Sequence, residues 1–486
     1  MSGDVSGHAA LPPGTGVGQT TTCGMLPVRG GTAVCCRAAW VIFDSGTAVR
    51  KGSVPGTLDV LAAPSCRSPS STIIVCPRRV PFRSTTRRAL AIVIACLLCS
   101  PDPLRADPFD ACLQTLRRSK RARSISAATW RQLDGVRPDS AVLVQLNAQP
   151  EFTLPIWDYV AVMADRERVD DGLRLLAEHR ATFKAVAQRY AVEPEVVAAV
   201  WGIESNFGRG QGTFDVLRSL ATLSCVGRRQ VYFRGELLAA LRIVQGGHVS
   251  REAFRGSWAG AFGQTQFMPG VFWWRGVDFD GDGRRDLITN TGDALASTAN
   301  FLKQAGWKRG LPWGVEVTLP SEDGAPFDAR GENRRTRRTF GAWVARGVTR
   351  VDGSPLLRSP ADSSIAAGLF LPAGVAGPAF LVTSNFSAVF SYNAAESYTL
   401  AIVHLADRLR GGGDIVTPWP TDDPGLSRRD RRELQSLLIA RGHAIGTVDG
   451  LLLPPTRAAV KVEQQRLGMS ATGRPGQRLL ATLRQP

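Results

Sequence analysis

The chain reads Trp201-Gly-Ile-Glu-Ser-Asn-Phe-Gly208 at the end of a mostly apolar segment that begins after Pro194. Val197 and Val200 precede Glu204 by seven and four positions, so the three side chains share one face of a helix. A proline is tolerated in the first helical turn, and an asparagine followed by a glycine is typical of a helix end. The sequence therefore predicts a buried helix over 194–204, with Glu204 in its last turn.

Glu204 is the first candidate for chemistry. Apolar surroundings and the negative end of the helix dipole both favour the protonated carboxyl over the carboxylate. A carboxyl that stays protonated near neutral pH can act as a general acid. The alternative is a structural glutamate that bonds Asn206 or an arginine, and the helix alone does not decide between the two.

A glycine-rich stretch follows about fifty residues later and reads Ser257-Trp-Ala-Gly-Ala-Phe-Gly-Gln-Thr-Gln-Phe-Met-Pro-Gly270. Its glycines let the backbone approach a ligand closely. Ser257, Gln264 and Gln266 offer neutral donors and acceptors, and the aromatic residues offer faces for sugar rings. The alternative is a tightly packed turn with polar caps. One acid opposite such a loop suits chemistry on a neutral polymer such as a glycan, rather than phosphate or metal-dependent hydrolysis.

An acidic loop, Asp278-Phe-Asp-Gly-Asp-Gly-Arg284, has the spacing of an EF-hand-like calcium loop. Its carboxylates stand at positions 1, 3 and 5 and Gly283 at position 6, but Thr289 replaces the usual glutamate at position 12. An Asx-rich turn without metal is the alternative. If calcium binds, we expect a weak structural site formed by Asp278, Asp280 and Asp282.

A candidate signal peptide lies well inside the chain. Arg87 and Arg88 precede the apolar run 89–99, and Leu104-Arg-Ala106 follows. This order is typical of secretory signals, and the run is too short to span a bilayer as a stable helix. We therefore expect residues 80–106 to be the signal peptide and residues 1–79 to be a gene-start error or a disordered extension. The expected location is the periplasm, with lipid anchoring as the less favoured alternative.

Seven of the nine cysteines precede residue 107, which leaves Cys112 and Cys225 in the mature chain. Two cysteines in an exported protein usually pair. We predict a Cys112–Cys225 disulfide.

The formal net charge is +17 over 486 residues. Such a charge implies an anionic partner or merely a basic compositional background. The sequence has no Cys/His finger and no basic helix with heptads, which argues against nucleic acid. An acidic polymer of the cell envelope accounts for the charge equally well.

Four segments can be distinguished after residue 106. Residues 107–410 are largely helical in pattern, with a small β-containing insertion at about 314–385, where strand-like runs occupy 315–319, 340–344 and 368–371. A linker rich in glycine and proline covers 411–425, and residues 426–486 read as a compact helical module. The predicted fold class is mainly α with a small β-containing insertion.

Taken together, these segments closely resemble the lytic murein transglycosylase B family of bacterial cell-wall enzymes. The resemblance implies a lysozyme-like catalytic domain with Glu204 as its single catalytic acid. It also implies substrate contacts from Ser257 and Gln266, and from the late pair Tyr392 and Asn393. The matching pieces occur in the expected order and cover 201–208, 213–223, 257–269, 277–287, 293–307 and 391–393.

The tail resembles a three-helix peptidoglycan-binding domain. Two positions depart from that pattern: Leu453 stands where a glycine is usual, and Glu463 stands where an aromatic residue is frequent. The fold is expected to survive both changes, whereas the affinity for the ligand depends on them. The matching residues are Leu434, Gln435, Asp449, Gly450, Thr456, Ala459 and Val460.

The resemblance implies cleavage of the β-1,4 bond between N-acetylmuramic acid and N-acetylglucosamine, with a 1,6-anhydro product. It implies that no cofactor is required. The implied partner is the peptidoglycan glycan strand, and other cell-wall enzymes are further candidate partners. The protein is expected to be a monomer. One alternative is a lysozyme-type hydrolase, which would need a second carboxylate in the cleft. Another is a wall-binding scaffold that holds glycan without cutting it.

Overall fold

The computed structural model describes residues 107–146, 154–321 and 325–485. The expectations for residues 1–79 and 80–106 lie outside the described residues. Within the described ranges, no helix is both long and apolar enough to cross a membrane.

The first core is built from short helices at the start of the chain and from helices that flank the glycine-rich loop. Buried phenylalanines such as Phe254, Phe262 and Phe272 fill it. Cys112 in the first helix and Cys225 at the end of another are joined by a disulfide of 2.05 Å. The helices are α1 Pro108–Arg117, α2 Ala127–Trp130, α3 Ser140–Gln145, α8 Val216–Cys225, α9 Gln230–Gln245 and α10 Pro269–Arg275. Short 3₁₀ turns cover Lys120–Ala122, Arg131–Leu133 and Pro360–Ser364.

The second core surrounds a nearly fully buried helix, α7 (Pro194–Ser205). Small and β-branched residues let neighbouring helices approach α7 closely, and α14 packs along it. This core fixes α7 from several sides. Its other helices are α4 Ile156–Met163, α5 Arg166–Glu178, α6 Arg180–Tyr190, α11 Thr291–Gln304, α13 Ser384–Asn393 and α14 Glu396–Leu409.

The β structure is small and antiparallel, so the predicted mainly α class with a β-containing part is confirmed. A two-residue pair, β1 (Phe214–Asp215) with β2 (Arg255–Gly256), ties the segment after α7 to the start of the glycine-rich loop. A five-stranded sheet has the order β4-β6-β7-β3-β5. Its strands are β3 Gly314–Thr318, β4 Arg337–Thr339, β5 Thr349–Arg350, β6 Ala366–Phe370 and β7 Ala379–Val382.

The expectation of a strand at 340–344 is wrong. These residues form a short helix, α12 (Phe340–Val344), whose N-cap Thr339 accepts a hydrogen bond from the Ala342 amide at 3.2 Å. Phe340 and Trp343 are three positions apart and both are buried, as the face of a helix requires. In so short an apolar run the threonine cap outweighs the aromatic preference for strands.

The tail folds as three helices, α15 (Arg428–Ala440), α16 (Pro454–Arg466) and α17 (Gln477–Leu483), around a small apolar core. Glu463, one of the two departures from the family pattern, is 2% exposed and lies 2.8 Å from His443 Nε2. A buried acid paired with a half-buried imidazole thus stands where the family pattern has an aromatic residue.

The segment 411–425, expected to be a linker, is held against the sheet. The Glu316 carboxylate accepts hydrogen bonds from the Val416 amide at 2.9 Å and from the Thr417 amide at 2.7 Å. Gly425 then packs on α4, where an added Cβ would lie 2.7 Å from the Asp158 Cα. The segment therefore follows a defined path between the two parts of the chain.

Candidate active site

Glu204 lies in the last turn of α7 and is half-buried. The preceding residues of this helix, from Val196 to Gly202, are all buried. Because the helix is fixed on so many sides, its final turn presents Glu204 in a defined position.

A sharp chain reversal follows Glu204. Asn206, Phe207 and Gly208 have φ values of 49°, 60° and 81°, which residues other than glycine rarely adopt. The Phe207 ring lies over Gly202, where an added Cβ would come within 2.7 Å of the ring. The glycine is therefore needed for Phe207 to close the turn.

Ser205, next to Glu204, joins α7 to the glycine-rich loop. Its hydroxyl donates to the Gln264 carbonyl at 2.7 Å and accepts from the Gly208 amide at 2.9 Å. The buried Gln264 side chain donates in turn to the Ile288 carbonyl at 3.3 Å. The loop is thereby fixed beside the end of α7.

Two tyrosines complete the connection. The Tyr398 phenol donates a hydrogen bond to Glu204 Oε1, and the Tyr392 phenol donates to the Thr265 carbonyl of the loop at 2.8 Å. The two rings stack with centroids 6.4 Å apart. Burial, with the charge of Glu204 adding to it, raises the pKa of both phenols well above the usual value. Both therefore remain protonated donors at neutral pH.

Sequence reasoning missed Tyr398. Tyr392 and Asn393 form the last turn of α13, and α14, which contains Tyr398, begins at Glu396. Asn393 is exposed. The available signal was a second tyrosine six residues after the first, beyond a helix break at Ala394 with φ of 52°.

Ser257 and Gln266, the predicted loop contacts, both shape the loop. The Ser257 hydroxyl accepts from the Ala261 amide at 3.1 Å and caps a tight turn. The Gln266 amide donates to the carbonyls of Gln211 and Gly263, each at 2.9 Å. Within the described part of the chain, the Gln266 side-chain oxygen keeps its acceptor capacity for a ligand.

A second acid adjoins the far end of this loop. Glu236 accepts a hydrogen bond from the Gly270 amide at 2.7 Å, at the N-terminus of α10. Burial raises its pKa. The carboxyl is therefore engaged in capping α10.

The acidic loop brings its three predicted ligands together. One carboxylate oxygen each from Asp278, Asp280 and Asp282 lies within 4.8 Å of the others. Asp278 accepts from the amides of Gly281 at 2.7 Å and Gly283 at 2.9 Å. An all-oxygen donor set of this kind fits a hard cation such as Ca²⁺.

Asp293, which sequence reasoning missed, anchors this loop to α11. It is fully buried and accepts from the amides of Phe279 at 2.7 Å and Asp286 at 2.8 Å. Burial raises its pKa, and the charges of Asp280 and Asp278 add to this effect. Asp293 stands in the first turn of α11, three residues after its N-cap Asn290.

A cavity of about 840 Å³ lies away from Glu204. It is lined by Glu193, which directly precedes α7, and by Trp313, His404 and Asp407. Along α7 it is about 16 Å from Glu204, at about 1.5 Å per residue. Its size alone does not make it the catalytic site, because the connected acid, tyrosines and loop lie elsewhere.

Residues 108–407, more than half of the chain, match the family described as Transglycosylase SLT domain. The chain belongs to this family. Following its SLT domain, residues 427–483 match the family described as Putative peptidoglycan binding domain.

Known proteins resemble both parts of the chain. SltB3 from Pseudomonas aeruginosa, solved in complex with NAG-anhNAM-pentapeptide, is 46% identical with a TM-score of 0.62, covering 78% of this chain and 100% of that one. Slt35 from Escherichia coli, solved in complex with calcium, is 25% identical with a TM-score of 0.52, covering 64% of this chain and 94% of that one.

A curated relative of the SLT domain is membrane-bound lytic murein transglycosylase B of Escherichia coli strain K12. It is 30% identical over 240 residues, which cover 49% of this chain and 63% of the relative. The chain therefore spans less than two thirds of the length of that relative.

Proposed function

We propose that the chain is a peptidoglycan lytic transglycosylase. It cleaves the β-1,4 bond between N-acetylmuramic acid and N-acetylglucosamine and forms a 1,6-anhydromuramoyl product, with Glu204 as the single general acid and base. The observation that carries the proposal is the Tyr398 phenol bonded to a half-buried Glu204, beside the glycine-rich loop. Membership of the transglycosylase family supports it.

The reaction needs one group that first gives and then takes a proton. The Glu204 carboxyl donates its proton to the glycosidic oxygen as the bond from that oxygen to C1 breaks. The resulting carboxylate accepts the proton of the muramoyl C6 hydroxyl as the oxygen of that hydroxyl attacks C1. No water is consumed, and Glu204 ends protonated as it began.

Tyr398 suits both halves of this cycle. A phenol both donates and accepts, so it can stay bonded to Glu204 as carboxylate and as acid. Because its pKa is raised, the phenol does not compete with Glu204 for the role of proton donor. Tyr398 orients the catalytic carboxyl.

Substrate contacts are proposed for Ser257, Gln266, Tyr392 and Asn393. Gln266 offers a side-chain oxygen to sugar hydroxyls or amides, and Asn393 offers an exposed amide. Tyr392 contributes chiefly by holding Thr265, because its hydroxyl is engaged with that carbonyl.

Mass spectrometry of products from purified peptidoglycan tests the proposal. Wild-type protein should release products one water lighter than hydrolysis products, and Glu204→Gln should release none. Glu236→Gln is the matched control, because an amide oxygen can still accept from Gly270. Products at the hydrolytic mass, lost equally in both variants, would instead indicate a two-carboxylate lysozyme mechanism. Wall binding without any product would indicate a scaffold.

We also propose a weak structural calcium ion at Asp278, Asp280 and Asp282. Their oxygens are close enough to share one ion, and the similar protein Slt35 was solved in complex with calcium. Thr289, at the twelfth loop position, bonds Asp286, which accounts for weak affinity. Calcium should raise the Tm of wild type and leave the Tm of an Asp280→Asn variant unchanged; equal responses would rule the site out.

The proposed location is the periplasm, reached through a signal peptide at 80–106. Glycan strands are the proposed partner of a monomeric enzyme. The N-terminal mass of the exported protein tests the location, and a mature chain that began before residue 80 would contradict it.

A further inference from the structure

The C-terminal module contacts the SLT domain through a set of charged pairs. The Arg428 backbone amide donates to Asp165 Oδ2 at 2.9 Å, and its guanidinium donates to both Asp165 oxygens at 3.0 Å. The Asp165 side chain is 2% exposed and that of Arg428 16% exposed. Arg432 pairs with Glu167 at the edge of the same contact.

The Asp165 carboxylate accepts hydrogen bonds from backbone amides in the first turns of two helices. It caps α5 by accepting from the Arg168 amide at 2.9 Å. It also accepts from Arg428, the first residue of α15, which lies inside the capping box formed by Ser427 and Asp430. Both Arg428 and Asp165 are therefore fixed by helix ends, and the guanidinium between them has little freedom.

Arg428 also reaches the end of α7. Its Nη1 donates to Asn206 Oδ1 at 2.8 Å. Asn206 is the left-handed C-cap of α7, two residues after Glu204. Asparagine is, after glycine, a residue type that readily adopts this left-handed conformation at a helix end. Phe207 packs against Gly202 inside the SLT domain, and Arg428 binds the Asn206 side chain from the module.

We propose that Arg428 is a positioning residue for Glu204. By binding Asn206, it makes the docked C-terminal module part of the scaffold that holds the last turn of α7. The module thus contributes to the rate of bond cleavage as well as to attachment to the wall. This inference rests on the proposed transglycosylase function of Glu204.

Arg474 supplies a matched control within the same contact. It donates to Asp158 at 2.7 and 2.8 Å and to Asp423 at 2.9 Å. Among the described residues, the hydrogen bonds and ion pairs of its side chain go to Asp158 and Asp423 and not to the α7 turn. An Arg474→Ala variant therefore weakens docking without removing a bond to Asn206.

The test compares full-length Arg428→Ala, Arg474→Ala and Asn206→Gly with wild type on soluble glycan strands released from peptidoglycan. Glycine keeps the left-handed conformation but removes the amide. Arg428→Ala and Asn206→Gly should each lower kcat about tenfold with KM within about twofold, because a small misplacement of a catalytic group costs this much or more. Their combination should cost little more than either alone. Arg474→Ala should keep kcat within about twofold.

Amide hydrogen exchange over 205–210 gives a readout independent of activity. Exchange in this turn should quicken in Arg428→Ala and not in Arg474→Ala. If wild type makes no anhydro product, the proposed function fails, while the exchange result still reports on Arg428. The positioning role would be overturned if Arg428→Ala had the same kcat and the same exchange rates as wild type. An equal loss of kcat in Arg474→Ala would also overturn it, because docking in general would then be responsible.

Discussion

At the residue scale, the Tyr398 phenol is the side chain most directly linked to the state of Glu204. The phenol donates a hydrogen bond to the Glu204 carboxyl, and its ring stacks on that of Tyr392. Tyr398 therefore connects Glu204 to Tyr392. The loop, the tyrosines and the end of α7 therefore depend on each other for their placement.

Replacing Tyr398 by phenylalanine should lower kcat roughly 10- to 100-fold, because a hydrogen bond to a charged group contributes about 1.5–3 kcal/mol. Tyr392→Phe is the control, since it removes the bond to the Thr265 carbonyl and leaves Glu204 bonded. Steady-state kinetics on soluble glycan strands would measure both. Wild-type kcat in Tyr398→Phe would contradict an orienting role for the phenol.

Gly202 gives a second prediction at this scale. In Gly202→Ala the new methyl group would lie 2.7 Å from the Phe207 ring, and such overpacking costs about 1–3 kcal/mol of unfolding free energy. Gly235→Ala in α9 is the control, because its Cβ meets nothing within 4 Å and alanine favours helix by up to about 1 kcal/mol. Urea denaturation should show opposite signs for the two variants, and a shared sign would count against the packing argument.

At the scale of elements, α14 contains a buried histidine that makes stability depend on pH. Burial, assisted by the charge of Arg408, lowers the pKa of His404 from 6.5 to about 4. The unfolded chain therefore binds this proton more readily than the folded chain. The contribution of neutral His404 to the free energy of unfolding is fully present above pH 6.5 and is lost as the pH falls towards 4.

His404→Gln should remove about 3 kcal/mol of this pH dependence, the equivalent of the shift in pKa. Denaturant titration across this pH range should show the unfolding free energy of wild type falling relative to that of the variant on acidification. Parallel curves would contradict the assignment to His404.

The elements themselves were largely predictable, because the apolar period of α7 and its terminal asparagine and glycine are local signals. The helix at Phe340–Val344 was mistaken for a strand because five apolar residues fit both periods and only the Thr339 cap decides between them. Tyr398 and Asp293 were missed for another reason. The Tyr398 phenol meets Glu204 across 194 residues of sequence, so a second tyrosine after the helix break does not by itself identify its partner. Asp293 accepts from backbone amides, which a pattern of side chains does not record.

At the scale of the whole molecule, the disulfide between Cys112 and Cys225 spans a sequence separation of 113. It attaches the first helix of the first core to α8. A crosslink that closes so long a loop stabilises the folded chain chiefly by restricting the unfolded one.

A Cys112→Ser/Cys225→Ser variant should lose about 3–5 kcal/mol of stability on the chain-entropy estimate. Thermal denaturation with and without reductant would measure the change. The Tm of wild type should approach the Tm of the variant only when reductant is present. An unchanged Tm in the variant would mean that native packing alone holds α1 in place.

The shared carboxylate of Asp165 has a consequence for how the molecule melts. If the C-terminal module separated, two ion pairs with little-exposed carboxylates would break: Arg428 with Asp165, whose side chain is 2% exposed, and Arg474 with Asp158, whose side chain is 5% exposed. The two parts should therefore unfold cooperatively, as a single calorimetric transition with matching van't Hoff and calorimetric enthalpies. Two resolved transitions would show that the module and the SLT domain are thermodynamically independent.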